Sequence, residues 1–199
     1  MNLNKDNLKR AGDFGGSIEV ICGSMFSGKT ELLIKRLSHA IAIGLKVGIF
    51  SPEADVRFLD NALVSHNANS IPSTPVKNAL FIMQLSTNFQ VIGIDEAQFF
   101  DNNLPGVCNI LANKGVRVIV AGLDLDFKGE PFGTMPAMMA MAEYVTKLHA
   151  ECVRCGEPAM YSYRQLPNEE KILIGGKEGY EPRCRTCYNA SKKIKGTKI

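Results

Sequence analysis

The amino-acid sequence predicts an α/β fold, in which a mostly parallel sheet is covered by helices on both faces. Three observations support this prediction. Short apolar runs alternate with stretches of helical periodicity between residues 17 and 150, and such alternation favours right-handed crossovers between parallel strands. A glycine-rich loop lies between the first run and the first helical stretch. Two C-x-x-C pairs near the C-terminus predict a small additional module.

The first apolar run, residues 18–22, predicts a buried strand and leads into Gly23-Ser24-Met25-Phe26-Ser27-Gly28-Lys29-Thr30. This segment matches G-x-x-x-x-G-K-[ST], the phosphate-binding P-loop. Its glycines let backbone N–H groups point at phosphate oxygens, and the following helix adds the positive end of its dipole. Lys29 would reach the outer phosphates and Thr30 would hold Mg²⁺. The motif in this context predicts a RecA-like nucleotide-binding domain.

The segments that follow continue the alternation. A helix with Leu33, Leu37 and Ile41 on one face is predicted to end at Gly44, and residues 46–51 predict a short strand. Residues 52–75 are rich in Ser, Asn, Asp and Pro, which predicts a long and partly mobile loop. A short helix is predicted over residues 79–85.

A second acidic motif follows the next apolar run, Val91-Ile92-Gly93-Ile94, which has the continuous hydrophobicity of a strand covered on both faces. This run ends in Asp95-Glu96. A carboxylate at the end of a strand beside a P-loop is a natural Mg²⁺ partner for Thr30, and we assign this role to Asp95. Glu96 is then placed to accept a proton from an attacking hydroxyl or water.

The remaining elements of the domain are a helix from Asn103, with Pro105 in its first turn, a strand over residues 117–122 and a helix over residues 135–142. Parallel sheets bind ligands at the carboxyl ends of their strands. The P-loop, Asp95, Glu96 and the segment Leu123-Asp124-Leu125-Asp126-Phe127 all fall at such ends.

Composition indicates one core with a small appendage, since the chain has 199 residues, of which 45% are hydrophobic. No run approaches the roughly 18 apolar residues of a membrane span, and the polar N-terminus is unlike a secretory signal. The net charge of +3 is too small to favour a nucleic-acid partner. We therefore expect a cytoplasmic protein without a membrane or nucleic-acid partner. The predicted units are a flexible tail over residues 1–16, the P-loop domain over 17–150, a zinc-binding module over 151–191 and a basic tail over 192–199.

The cysteines predict a structural Zn²⁺ site of four thiolates, because each C-x-x-C pair offers two ligands from one tight turn. The ligands are Cys152, Cys155, Cys184 and Cys187. A redox pair is the alternative. Cys22 and Cys108 are predicted to be small buried hydrophobic residues. Gly175, Gly176 and Gly179 make the segment between the two pairs a candidate lid, pinned at both ends by the metal.

Three acceptors for a transferred phosphoryl group remain open on these residues alone. Water would make the protein an ATPase motor or switch, a small hydroxyl compound would make it a metabolite kinase, and a nucleic-acid partner would make it a helicase-like ATPase with a zinc clamp. A helicase would need an extended basic stripe, which the sequence does not display. Seven aromatic residues could bind a flat ring or fill the core; they are Phe99, Phe100, Phe127, Phe132, Tyr161, Tyr163 and Tyr180.

Taken together, the motifs resemble those of the type II thymidine kinases, the zinc-bearing deoxynucleoside kinases. The resemblance runs from residue 17 to 188 in unbroken order. It is carried by Met25-Phe26-Ser27 inside the P-loop, Ile94-Asp95-Glu96-Ala97-Gln98-Phe99-Phe100, Gly122-Leu123-Asp124-Leu125-Asp126-Phe127, Pro131-Phe132-Gly133, both cysteine pairs, and Gly175-Gly176 followed by Tyr180. Ser51-Pro52-Glu53 and Phe58 depart from the family pattern, which often has a lysine-containing stretch and a tyrosine there.

The resemblance implies transfer of the ATP γ-phosphoryl group to the 5′-hydroxyl of thymidine, with Glu96 as general base. It also implies that Asp55 lies near Mg²⁺, that Arg57 lies near the phosphates and that Leu173, Ile174 and Gly175 belong to a lasso loop that grips the base. Ser162 would lie beside the methyl group of the base. The implied nucleoside pocket comprises Met25, Gln98, Phe99, Leu123, Phe127, Phe132 and Tyr180. Deoxyuridine is an alternative acceptor, and the resemblance further implies a homotetramer inhibited by thymidine triphosphate.

Overall fold

A computed structural model describes residues 15–53, 62–64, 70–165 and 179–196, and it describes the side chains of these residues except at 62–64, 70 and 192–196. Residues 1–14 and 197–199, which cover most of the N-terminal tail and the end of the C-terminal tail, lie outside this description. The predicted lasso loop also lies outside it.

The described residues form twelve strands. They are β1 Ser17–Gly23, β2 Val47–Pro52, β3 Ala62–Val64, β4 Ser70–Pro72, β5 Thr74–Val76, β6 Val91–Ile94, β7 Arg117–Gly122, β8 Tyr144–Leu148, β9 Ala150–Glu151, β10 Pro158–Ala159, β11 Tyr161–Arg164 and β12 Tyr180–Arg183. Six of them build the main sheet in the order β5-β2-β6-β7-β1-β8. All five pairings in this sheet are parallel, in agreement with the predicted fold class.

Helices cover both faces of the sheet. They are α1 Lys29–Ala42, α2 Ala79–Leu85, α3 Leu104–Asn113, α4 Met135–Met141 and α5 Arg185–Gly196, and a 3₁₀ turn spans Ala97–Phe99. Helix α1 packs with Ile21, Val91 and Ile119 on one face. Helices α2, α3 and α4 pack on the other face. The predicted strands at residues 18–22, 91–94 and 117–122 and the helix at 79–85 are therefore confirmed.

Helix α1 differs from its prediction in the buried stripe. Leu33 and Leu37 are fully buried as predicted, but Ile41 is 48% exposed and Ala40 is buried in its place. At about 100° per residue, position 40 lies about 20° from Leu33 around the helix, whereas position 41 lies about 80° away. The prediction of Ile41 on the buried face was therefore wrong.

The predicted loop over residues 52–75 contains regular structure instead. Strands β3 and β4 pair antiparallel, and β5 joins the edge of the main sheet beside β2. Pro75 lies in β5 opposite Ser51, and proline is tolerated in an edge strand because one side of that strand needs no ladder hydrogen bonds. The opposite edge strand, β8, was not predicted either.

Two cysteines of the main domain are fully buried, as predicted for small hydrophobic residues. Cys22 and Cys108 are both 0% exposed. Burial raises the pKa of the Cys22 thiol to about 11 and that of the Cys108 thiol to about 12. Both thiols are therefore neutral and unreactive near neutral pH.

After β8 the chain forms two small antiparallel pairs, β9 with β10 and β11 with β12. Helix α5 follows β12 and contacts both β11 and β12. These elements lie beside the carboxyl end of β1, where the P-loop begins. In the described part of the chain, every helix is too short or too polar to span a bilayer.

Candidate active site

The P-loop between β1 and α1 is curled by three residues with left-handed backbone angles. They are Gly23, with φ 146°, Phe26, with φ 65°, and Gly28, with φ 84°. A side chain at Gly23 would meet the carbonyl oxygen of Leu148 at 2.3 Å, so only glycine fits there. The Ser24 carbonyl accepts from the Ser27 hydroxyl at 2.8 Å.

The Lys29 side chain folds back over this loop. Its Nζ donates to the Ser24 carbonyl at 2.8 Å, and the residue is 8% exposed. The ammonium group is thus held inside the curve of the loop, where phosphate oxygens would lie. This placement is the one that the P-loop motif predicts.

Thr30 and Asp95 come together at the carboxyl ends of β1 and β6. The Thr30 hydroxyl donates to Asp95 Oδ2 at 3.0 Å. The other oxygen, Asp95 Oδ1, accepts from the backbone N–H of Glu96 at 2.9 Å. A hydroxyl and a carboxylate in contact are hard oxygen ligands of the kind that Mg²⁺ binds.

Asp95 is 2% exposed, and its environment disfavours the charged form. Burial, followed by the negative charge of Glu96, raises the pKa of the Asp95 carboxyl to about 7, while Thr30 and Lys29 oppose the change. A bound cation would supply the missing positive charge. The carboxyl is therefore suited to a site that a cation fills.

Glu96 occupies an unusual backbone conformation directly after β6. Its φ of 51° and ψ of 40° lie in the left-handed region, although it is not glycine. Residues held in this region cost free energy and occur often at active sites. The side chain is half-buried, and its Oε2 accepts from Gln98 Nε2 at 2.5 Å.

Gln98 connects Glu96 to the loop after β7. Its Oε1 accepts from the Leu123 backbone N–H at 2.9 Å, and the residue is 3% exposed. The resemblance implied a contact between Gln98 and the nucleoside. Both ends of its carboxamide make hydrogen bonds within the protein.

Aromatic side chains of the predicted pocket divide into two groups. Phe100 is 6% exposed and belongs to the core under α3. Phe99 and Phe132 are half-buried and meet edge to face, with ring centroids 5.6 Å apart. Phe127, also half-buried, carries the Arg164 guanidinium over its ring at 3.8 Å. The half-buried rings therefore lie at the strand ends and outside the core.

Arg164 also anchors Tyr180, another predicted pocket residue. The Tyr180 hydroxyl accepts from Arg164 Nη2 at 2.6 Å and from Arg164 Nε at 3.2 Å. Arg164 is 4% exposed, so this buried guanidinium contacts two aromatic residues of the predicted pocket, Phe127 and Tyr180. This role of Arg164 was not predicted, although its place in the sequence next to Tyr161 and Tyr163 could have indicated it.

The P-loop is docked directly onto the C-terminal module. The Met25 backbone N–H donates to Ser162 Oγ at 3.0 Å, and the Ser24 hydroxyl donates to the Ala159 carbonyl at 3.1 Å. Ser162, which the resemblance placed beside the base, thus also supports Met25. Leu123 and Met25 are both half-buried at this edge.

The four predicted metal ligands converge in the C-terminal module. All four Sγ atoms of Cys152, Cys155, Cys184 and Cys187 lie within 4.8 Å of one another. Cys155 Sγ is 3.6 Å from the Sγ atoms of both Cys184 and Cys187, and none of the chain's cysteines forms a disulfide in the described structure. Tetrahedral Zn²⁺ with bonds of about 2.3 Å separates its sulfur ligands by a little under 4 Å. The cluster therefore fits a Cys₄ zinc site and not a redox disulfide.

Helix α5 connects the four-cysteine cluster to Phe127. Tyr188 follows Cys187 and stacks on Tyr161, with ring centroids 4.3 Å apart. Its hydroxyl donates to the Phe127 carbonyl at 2.8 Å. The residue that follows Cys187 thus holds the backbone of Phe127, a predicted pocket residue.

Two acidic residues after β7 have partners within the protein, one in β8 and one in the loop itself. Asp124 Oδ2 accepts from Lys147 Nζ at 2.7 Å, and Asp126 Oδ1 accepts from the backbone N–H groups of Lys128 and Glu130.

Five predicted site residues lie outside the described residues; they are Asp55, Arg57, Leu173, Ile174 and Gly175.

Comparison with known proteins places these features in context. The thymidine kinase family profile matches residues 16–188. A thymidine kinase of Bacteroides fragilis (strain YCH46) is 54% identical over 173 residues, covering 87% of each chain. A thymidine kinase of Bacteroides thetaiotaomicron is 50% identical, and the match covers 92% of each chain. A thymidine kinase of Porphyromonas gingivalis (strain W83) is also 50% identical, and the match covers 94% of this chain and 89% of that one. A solved DNA replication initiation factor has a TM-score of 0.44 at 16% identity over 67% of this chain and 40% of that chain, a likeness too weak to inform on the fold.

Proposed function

The chain belongs to the thymidine kinase family, and from this premise we propose that it transfers the γ-phosphoryl group of ATP to the 5′-hydroxyl of thymidine. The observation that carries the proposal is the contact of Thr30 with Asp95 beside Glu96, at the edge where the half-buried aromatics gather. A phosphate cradle, a cation site and a proton acceptor are there adjacent to apolar surface.

The P-loop residues Gly23, Ser24, Met25, Phe26, Ser27, Gly28, Lys29 and Thr30 bind the triphosphate in this proposal. Backbone N–H groups and the Lys29 ammonium meet the phosphate oxygens. Thr30 and Asp95 would hold Mg²⁺, which would offset negative charge on the phosphates. We assign Asp55 and Arg57 to the same phosphate side on the family resemblance.

Glu96 accepts the proton of the 5′-hydroxyl as that oxygen attacks the γ-phosphorus. A bond forms between O5′ and the γ-phosphorus, and the bond from the γ-phosphorus to the β,γ-bridging oxygen breaks, so that ADP leaves. The proton moves to the Glu96 carboxylate. The backbone N–H of Glu96 donates to the Asp95 carboxylate, so the proton acceptor and the proposed cation site are adjacent in sequence as well as in space.

The nucleoside base binds among Met25, Phe99, Leu123, Phe127, Phe132 and Tyr180, with Ser162 beside them, in this proposal. The half-buried rings of Phe99 and Phe132 and the ring of Phe127 supply apolar faces for a flat base. On the family resemblance, we assign Leu173, Ile174 and Gly175 to a lasso lid over the base. Excluding water in this way favours transfer to the sugar hydroxyl over hydrolysis.

The four cysteines would hold a structural zinc ion, which would stabilise the C-terminal module. The convergence of the four thiols supports this assignment, and structural zinc contributes directly to folding. Residues 17–150 and 151–191 are then the catalytic domain and the zinc-binding module, with tails on either side. A homotetramer, a cytoplasmic location and inhibition by thymidine triphosphate are further predictions from the family resemblance.

The test is a panel of nucleosides incubated with the protein, ATP and Mg²⁺, with quantification of the 5′-monophosphates. We expect thymidine to be the best acceptor and purine nucleosides to be inactive. ATP turnover that needs no nucleoside, or that rises with single-stranded DNA, would instead indicate an ATPase switch or a helicase-like ATPase.

A further inference from the structure

We propose that Gln98 is a positioning residue: it holds the Glu96 carboxylate in the orientation for accepting the proton and does not bind the nucleoside. This inference rests on the proposed function, since it concerns how the acceptor of that reaction is oriented. It departs from the substrate contact that the family resemblance implied for Gln98.

The first observation is that both ends of the Gln98 carboxamide are used in fixed directions. Nε2 donates to Glu96 Oε2 at 2.5 Å, while Oε1 accepts from the Leu123 N–H at 2.9 Å. Rotating the amide by half a turn would set two acceptors against each other at Glu96 and two donors at Leu123. One orientation of Gln98 therefore satisfies both neighbours.

The second observation is that the surroundings fix Gln98 in place. A side chain at Gly122 would approach Gln98 Oε1 to 2.8 Å, and one at Gly133 would approach the Gln98 carbonyl oxygen to 2.1 Å. The preceding residue, Ala97, accepts from the Thr134 hydroxyl at 2.8 Å. The side chain is 3% exposed. This enclosure limits the side chain to one conformation, so the amide keeps its direction toward Glu96.

The third observation concerns what is being positioned. Glu96 lies on a left-handed turn after β6, so no helix or strand ladder sets the direction of its side chain. An N–H donor on one carboxylate oxygen restricts rotation of the whole group. Leu123, the other partner of Gln98, is itself a predicted pocket residue and lies on the same loop as Phe127. One side chain thus fixes the proton acceptor relative to the wall of the nucleoside pocket.

The test is a double-mutant cycle between Gln98 and Glu96 in the full-length chain. Gln98→Met keeps the volume and removes both hydrogen bonds. We expect kcat to fall about tenfold or more, since a hydrogen bond to a charged group is lost, while KM for thymidine and ATP stays within about twofold. In a Glu96→Gln background the same change should lower kcat no further, because the group that it positions is already gone.

Two controls separate positioning from folding. Gln90→Met removes the hydrogen bond that the exposed Gln90 Oε1 accepts from the Lys46 backbone N–H, at the other end of the sheet, and should leave kcat unchanged. Gln98→Asn keeps a neutral amide but shortens the side chain by one methylene, so the amide no longer spans both Glu96 and the Leu123 N–H. It should fold even if Gln98→Met does not, because it buries no new charge, and it should also lose kcat about tenfold or more.

A raised KM for thymidine at unchanged kcat would overturn the inference, because that result marks a substrate contact. Equal fold losses of kcat from Gln98→Met in the wild-type and Glu96→Gln backgrounds would also overturn it. The wild-type assay with thymidine distinguishes the two proposals: an inactive wild-type protein refutes the proposed function and this inference with it, whereas an active one with the wrong pattern among variants refutes this inference alone.

Discussion

Replacing Glu96 with glutamine removes the proton acceptor and leaves the rest of the site almost unchanged. Glutamine has the same shape, and it can still accept a hydrogen bond from Gln98. The contact of Glu96 with Asp95 uses the backbone N–H, and the Thr30–Asp95 bond does not involve residue 96. The variant should therefore fold and bind nucleotide as the wild type does.

The expected loss is in turnover. General base catalysis contributes about 10²-fold or more, which corresponds to about 2.7 kcal/mol of transition-state stabilisation at 1.36 kcal/mol per factor of ten. Because the substitution spares the phosphate cradle, KM for ATP should stay within about twofold. The two parameters should thus separate clearly.

The assay measures initial rates of thymidine monophosphate formation over a range of ATP and thymidine concentrations. Glu143→Gln is the matched control, because Glu143 accepts from the Ile18 backbone N–H at the start of β1, at the opposite end of the strand from the P-loop. We expect that variant to retain wild-type turnover. Turnover of Glu96→Gln near the wild-type value would refute the role of Glu96 as general base.

Three further predictions follow from the site. Burial and the Glu96 charge raise the pKa of Asp95 to about 7 from an ordinary value of 3.8. Between about pH 4 and pH 7 the folded protein therefore holds a proton that the unfolded chain releases, so the ligand-free wild type should lose stability relative to Asp95→Asn as the pH rises through this range. A difference in the free energy of urea unfolding that does not change with pH would contradict this. Removing zinc with a chelator should lower the Tm and weaken thymidine binding by calorimetry, and unchanged values for both would exclude a structural metal. Tyr188→Phe removes the hydrogen bond to the Phe127 carbonyl, worth about 1 kcal/mol, so thymidine Kd should rise about fivefold. Tyr144→Phe, at an exposed position, is the control. Equal effects of the two variants on thymidine Kd would argue against a contact through Tyr188 between the cysteine cluster and the nucleoside pocket.

The interior of the sheet was predictable from sequence because its strands are covered on both faces. The runs that became β1, β6 and β7 are apolar except for Glu19 and Arg117, and their burial follows from that composition. The edge strands β5 and β8 mix polar and apolar residues. Their place in the sheet depends on neighbours distant in sequence, which a local pattern does not reveal.

The candidate site shows the same division. The P-loop and the cysteine pairs are local motifs, so their residues could be named from spacing alone. The contact of Ser162 with Met25 joins residues 137 positions apart, and the bond from Gln98 to Leu123 depends on the neighbouring placement of β6 and β7. Such tertiary hydrogen bonds carry no signature in a single sequence.

The order of strands has a consequence for how the chain comes to be assembled during synthesis. Strand β1 is synthesised before both of its neighbours, β7 and β8, with Ser17 opposite Arg117 and Gly23 opposite Leu148. Contacts so far apart in sequence form slowly. The strand that leads into the nucleotide loop therefore lacks both neighbours until β8 has been synthesised, and until then its apolar side chains are exposed to aggregation.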